Sequence, residues 1–174
     1  MCMTKAGVGL SQNLGDHKKA GFEAASQAIE KLGGINPSIL FAFASIKYQQ
    51  EEVLRGIRQA APDAIVVGGS AAGEITSWVT VFDGVNVLAI ASDTIKFVTG
   101  IGMGVSGDSF KSGILAAEAV IKNAEGEKPN LFIMLPDGMT GNGAAIVEGI
   151  KSVLGENAPI IGGSLGDDYL FQKT

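Results

Sequence analysis

The sequence predicts an α/β fold made of two similar halves, each running strand, helix, strand, helix, strand, with helices covering a layered sheet and a central hairpin joining the halves. Three observations predict it. Uninterrupted apolar stretches such as 38–44 are typical of strands buried on both faces of a sheet. Amphipathic stretches such as 50–60 alternate with them. Short motifs of the first half return in the second half in the same order.

In the first half, Asp16 is the predicted N-cap of the first helix. Gly33 and Gly34 end that helix, and Pro62 follows the end of the second. The predicted elements are strand 6–10, helix 16–31, strand 38–44, helix 50–60 and strand 64–68.

Two strands, 85–91 and 95–101, are predicted next, and the three residues between them favour a tight hairpin. The second half then follows as helix 109–123, strand 130–135, helix 142–154 and strand 159–161. We expect one domain, with a first repeat at about 6–74, a hairpin link at 85–101 and a second repeat at about 101–171.

The duplication rests on three matches. Residues 7–11 (GVGLS) match 102–106 (GMGVS), and Leu40-Phe41 matches Phe132-Ile133. The motif at 67–70 (VGGS) returns at 161–164 (IGGS). The offsets differ by only a few residues, which favours an internal repeat over a chance likeness of two α/β units.

Composition excludes several classes of protein. With 13 Lys+Arg against 18 Asp+Glu the net charge is −5, which argues against binding to nucleic acid or to an anionic membrane. The single cysteine, Cys2, allows no intrachain disulfide, and a single histidine, His17, leaves little for metal or Cys/His chemistry. We therefore expect no metal and no cofactor. No stretch resembles a signal peptide or a membrane span, so a cytoplasmic domain is expected.

The candidate ligand-binding residues follow three predicted strands at their carboxyl ends, where open α/β sheets bind ligands. Hydroxyls and glycine N–H groups would hold a polar ligand, and carboxylates would meet a cationic group. The eight residues are Gly69, Ser70, Glu74, Asp137, Thr140, Ser164, Asp167 and Asp168. Turn chemistry and helix capping remain competing explanations for each of them.

Two other functions stay open. Gly102, Gly104 and Gly107 spell the dinucleotide fingerprint, although Asp108 would place a negative charge where the pyrophosphate should lie. Asp167 and Asp168 could instead serve an acid/base enzyme. Besides a nucleotide-dependent oxidoreductase or an acid/base enzyme, a protein interaction module that binds no ligand also fits. The loop at 44–48 differs from the loop at 135–143, which suggested a structural role for the former.

Taken in order, the motifs GVGLSQN, EEVLRGIR, VVGGSAAGEI, LPDGMTGNG and PIIGGSLGDDYLF resemble the FIST family (F-box and intracellular signal transduction proteins) from residue 7 to residue 171. The resemblance implies an N-terminal FIST domain, a sensory input module of bacterial-type signalling proteins that binds small ligands, amino acids among them, and for which no catalytic residues are established. It also implies a partner outside this chain, either a C-terminal FIST domain or a signalling output domain, which could complete the ligand pocket.

Overall fold

The computed structural model describes residues 3–168, 170 and 171. It confirms the α/β class: strands and helices alternate through most of the chain. None of the helices in these ranges is long and apolar enough to cross a membrane. The elements are β1 (Thr4–Ser11), α1 (His17–Glu30), β2 (Ile39–Ser45), α2 (Gln50–Ala60), β3 (Ile65–Ala71), β4 (Glu74–Ile75), β5 (Thr80–Val81), β6 (Val85–Ser92), α3 (Ser109–Asn123), β7 (Phe132–Met134), α4 (Gly143–Leu154) and β8 (Ile160–Gly162).

The chain falls into two compact units. Unit 1 takes in the described residues up to Phe97 and those from Gly166 onward, and unit 2 is Val98–Leu165. Unit 1 holds a four-stranded sheet in the order β1-β6-β2-β3. β2 and β3 are parallel, whereas β6 runs antiparallel to both of its neighbours. A hairpin of β4 and β5 forms a separate two-stranded sheet.

The core of unit 1 lies between this sheet and the helices α1 and α2. Alternate residues of β6 face the helices and are 0–2% exposed: Val85, Val87, Ala89 and Ala91. They pack in one cluster with the alanines of α1 and with Val53 and Ile57 of α2. The start of α1 agrees with its prediction, because the Asp16 carboxylate accepts the N–H of Lys19 at 2.9 Å and so caps the helix.

The predicted central hairpin is not formed. Residues 85–92 do form a strand, β6, but residues 95–101 form none. The reason lies in the sheet order: β6 pairs with β1 on one edge and with β2 on the other, so neither edge is left for a following strand.

Glycines allow the two helices of unit 1 to pack closely against each other. A methyl group at Gly21 of α1 would overlap the carbonyl oxygen of Val53 in α2, and one at Gly56 of α2 would overlap the carbonyl oxygen of Lys18 in α1. The two backbones are thus in direct contact at the crossing, which only glycine permits.

Unit 2 repeats this packing. In α3 and α4, Gly113 lies against the carbonyl of Ile146 and Gly149 against that of Phe110. Its sheet has two parallel strands, β7 and β8, and its core is made of Ala117, Val120, Phe132, Ile146, Ile150 and Leu154. The duplication itself stays a prediction.

One detail of the proposed alignment changes. Gly9 lies on Ala24 and Ala28 of α1, and its counterpart on α3 is Gly100, which lies on Ala116 and Val120. The sequence match had paired Gly9 with Gly104, four residues further along.

We predict that Gly56→Ala lowers the free energy of unfolding by about 1–3 kcal/mol, because its methyl overpacks a backbone contact that cannot yield. Gly143→Ala in α4 is the matched control, since a methyl there has no neighbour within 4 Å. Urea unfolding measures both. Equal stability of the two variants would contradict the close helix crossing.

Candidate functional site

Glu74, the first residue of β4, is the most unusual polar residue of unit 1. Its side chain is 1% exposed, and neither carboxylate oxygen has a hydrogen-bond partner. β4 is tied to the main sheet, because the Asn86 side-chain amide of β6 donates to the carbonyl of Ile75 at 2.8 Å. Since buried carboxylates are normally paired or hydrogen-bonded, this position calls for an explanation.

The surroundings of Glu74 disfavour its charged form. Burial and, to a smaller extent, the nearby negative charges of Asp168 and Asp83 together raise the pKa of this carboxyl from 4.5 to about 7. The backbone N–H groups of Gly84 and of Glu74 itself oppose the shift. Neither of them reaches hydrogen-bonding geometry, so both oxygens stay unpartnered.

Two buried hydroxyls of unit 1 also lack partners. The phenol of Tyr48 and the hydroxyl of Ser70 form no hydrogen bond, although these residues are only 3% and 6% exposed. Burial raises the pKa of the Tyr48 phenol, and the charge of Glu74 adds to the shift. The edge of the His17 ring contacts Tyr48, and Nδ1 of His17 accepts the N–H of Gln49 at 2.8 Å, which fixes the ring. His17 is half-buried.

Asp168 approaches from the C-terminal part of unit 1. Its Oδ2 accepts the hydroxyl of Ser45, a fully buried residue at the end of β2, at 2.6 Å. The backbone of Asp168 has φ = 54°, a left-handed conformation that aspartate tolerates better than most residues. On the other side, Lys47 donates to Asp83 at 2.8 Å, and this hydrogen bond raises the pKa of Lys47.

We call these residues the Glu74 cluster: Ser45, Lys47, Tyr48, Glu74, Asp83 and Asp168. Three carboxylates face one lysine, so the cluster is electronegative when Glu74 is ionised. No three His, Cys, Asp or Glu side chains within the described ranges are placed to hold a metal ion. The cluster has two unpartnered carboxylate oxygens, on Glu74, and one unpartnered hydroxyl, on Tyr48.

Among the predicted site residues in unit 1, Glu74 and Asp168 belong to this cluster, whereas Ser70 lies in β3 opposite Ala44. Asp167 is buried, and its Oδ1 accepts the N–H of Phe171 at 3.1 Å, so it holds the turn that follows. Gly69 lies inside β3, opposite Phe43, rather than in a turn after the strand. β3 continues through this motif because Gly68, with φ = 142°, lies against the backbone of Ala42 where a side chain would not fit.

Unit 2 contains the other three predicted residues. Asp137 accepts the N–H of Met139 at 2.7 Å and the hydroxyl of Thr140 at 2.6 Å, so both oxygens serve the loop itself. Ser164 is exposed and lies beside Gly138. The cap of α4 is Asn142, whose side chain accepts the N–H of Ala145.

The structure disfavours nucleotide binding at residues 102–107. Residues 93–101, directly before this segment, form no strand, and Gly102 lies against the Ser112 carbonyl of α3. The amino end of α3 is already occupied, because the Asp108 carboxylate accepts the N–H of Lys111 at 2.9 Å. A pyrophosphate would have to displace that carboxylate.

Sequence reasoning missed four members of the cluster: Ser45, Lys47, Tyr48 and Asp83. Three of them lie in the loop that was interpreted as structural, and the structure places this loop beside Glu74 and Asp168. Its position directly after the buried strand β2 is the same signal that predicts the other site loops.

We predict that Glu74 makes unfolding pH-dependent. Because its folded-state pKa is raised, the folded protein binds more protons than the unfolded chain between about pH 4.5 and 7. Its stabilising contribution is therefore complete below pH 4.5 and lost as the pH rises through 7, a change of about 3 kcal/mol. In urea unfolding, Glu74→Gln should lose this component and the exposed control Glu30→Gln should keep it. Identical pH profiles of all three proteins would contradict a desolvated Glu74.

Comparison with known proteins gives a family match and weak structural matches. The model of the FIST N domain matches residues 38–174. No curated protein sequence matches. An empty FtsZ dimer from M. jannaschii is 19% identical over 51% of this chain and 26% of that one, with a TM-score of 0.34. An FtsZ mutant from the same organism is 20% identical over 51% and 27%, with a TM-score of 0.33.

The chain thus spans about a quarter of the FtsZ chains, and their TM-scores are too low to support an argument. The family match, by contrast, covers well over half of the chain. FIST domains are sensory domains of signal-transduction proteins and are not known as enzymes. The chain belongs to the FIST family, as an N-terminal FIST domain.

Proposed function

We propose that this domain senses amino acids and that the Glu74 cluster binds the ligand's ammonium group. The observation that carries the proposal is the Glu74 carboxylate, 1% exposed with both oxygens unpartnered. Leaving a buried polar group unsatisfied costs about 1–3 kcal/mol, and more for a charged group. A ligand ammonium would supply the missing donors and the missing positive charge together.

The remaining groups of the cluster suit the other end of an amino acid. The unpartnered hydroxyl of Tyr48 can donate to a carboxylate, and Lys47 adds a positive charge. Asp168, already oriented by Ser45, supplies a second carboxylate for the ammonium. The cluster therefore has partners for both charges of a zwitterion, which a simple amine would use only in part.

A ligand reaches Glu74 when the β4–β5 hairpin moves. Each strand of the hairpin has only two residues, paired as Glu74 with Val81 and Ile75 with Thr80. Such a short ladder has little stability of its own, and segments of low local stability are those that open to ligands. Because β4 carries Glu74, ligand binding and hairpin position are coupled in this proposal. The signal would then pass to a C-terminal FIST domain or a signalling output domain.

Asp137, Thr140 and Ser164 remain residues predicted from the sequence alone as ligand contacts. Their hydrogen bonds serve the loop of unit 2, and the proposal does not depend on them. Calorimetry on Asp137→Ala, once a ligand is known, tests that separate expectation.

A thermal-shift screen of the twenty amino acids, with NAD(H) and NADP(H) as comparison compounds, tests the proposal. We expect at least one amino acid to stabilise the protein, by about 2.7 kcal/mol at 100 times its dissociation constant. Glu74→Gln and Asp168→Asn should lose the shift, because each removes a charge that meets the ammonium. Glu30→Gln and Asp63→Asn are matched controls and should keep it.

The other outcomes point to different functions. Stabilisation by a nucleotide alone would favour an oxidoreductase. No shift with any compound would favour an interaction module. A shift that survives in Glu74→Gln would place the amino-acid site elsewhere.

A further inference from the structure

The outer edge of β7 in unit 2 has its hydrogen-bonding groups facing away from β8. Phe132 donates its N–H to Pro159 at 2.9 Å, and Met134 accepts the N–H of Gly163 at 3.3 Å, so the peptide groups of these two residues face β8. Because these directions alternate along a strand, the N–H and C=O of Ile133 face the opposite edge. Within the described part of the chain, β7 forms a ladder with β8 only.

The small sheet of unit 2 also exposes apolar side chains. Leu131, Ile133 and Ile161 are 46%, 42% and 53% exposed, although strands of this composition are typical of sheet interiors. Ile133 and Ile161 are register partners and share one face of the small sheet. An unpaired, apolar strand edge is the surface to which an extended segment adds by β-augmentation.

Unit 1 shows what covers the corresponding edge. Gly68 lies against Ala42 of β2 as Gly162 lies against Met134 of β7, so β2 corresponds to β7. In unit 1 this edge is filled by β6, which runs antiparallel to β2 and places Leu88 opposite Phe41. Phe41 corresponds to Ile133 in the repeated motif.

We propose that the outer edge of β7 binds an extended segment, antiparallel to β7 and with the residue pattern of β6. In β6, small or branched residues at every second position face the helices and are 0–2% exposed. Gly68 and Gly162 are 94 residues apart, an offset that places the counterpart of β6 beyond residue 174. The occupant is therefore a segment from outside residues 1–174, with valine or alanine at alternate positions toward α3 and α4.

A synthetic peptide of residues 84–93, labelled with fluorescein, serves as the test ligand because it has this pattern. We expect saturable binding to the full chain in fluorescence anisotropy. N-methylation at the Leu88 position should weaken it about tenfold or more, since that N–H would pair with Ile133. N-methylation at Ala89 is the matched control, because its N–H points away from β7. Equal losses from the two methylations, or equal binding of a scrambled peptide, would overturn the proposal.

Protein variants locate the edge. Lysine at a strand edge opposes pairing, so Ile133→Lys should weaken peptide binding more than Ile161→Lys, and circular dichroism checks that both fold. A larger effect of Ile161→Lys would place the peptide at β8 and overturn the assignment. Sedimentation of the protein without peptide tests whether a second copy of the chain occupies this edge. A dimer that Ile133→Lys dissociates would show that β7 pairs with β7 of another copy, and would also overturn the proposal.

Discussion

Direct backbone contact between paired helices is the constraint on which this fold depends. Gly21 and Gly56 make that contact in unit 1, and Gly113 and Gly149 make it in unit 2. Helices this close leave little room for large side chains, and the fully buried face of α1 is accordingly made of alanines. The high glycine content, 25 of 174 residues, is thus explained largely by packing rather than by flexible linkers.

Glu74 is an exception in this closely packed fold, because it is a buried polar group without hydrogen-bond partners. The Glu74 carboxylate on β4, a strand outside the four-stranded sheet, is removed from water and lies near Asp168 and Asp83. Packed cores normally exclude unpaired carboxylates, because burying one is unfavourable. The packing of the surrounding strands compensates for the destabilising effect of Glu74. Unsatisfied polar groups near the carboxyl ends of strands support the proposal that this position binds a ligand.

Local signals were enough to predict most elements of the fold. The helices at 50–60 and 109–123 agree with the structure at both ends, because apolar periodicity and local end signals, such as Pro62 after α2 and the Asp108 cap of α3, define them. The position of β6 between β1 and β2 could not be predicted, since strand order depends on contacts distant in sequence. Because β6 is paired on both edges, the predicted central hairpin is not formed. Glu74 was predicted as a site residue from its loop. Tyr48 was not, because its burial beside Glu74 arises only in the folded sheet.

The most direct test of the account is an NMR titration of the Glu74 carboxyl carbon, without ligand and with an amino acid found by the thermal-shift screen. The account predicts a midpoint near pH 7 in the free protein, because burial disfavours the charge. It also predicts a lower midpoint with the amino acid, because the ammonium group stabilises the carboxylate. A free-protein midpoint close to the ordinary value of about 4.3 would contradict the central claim.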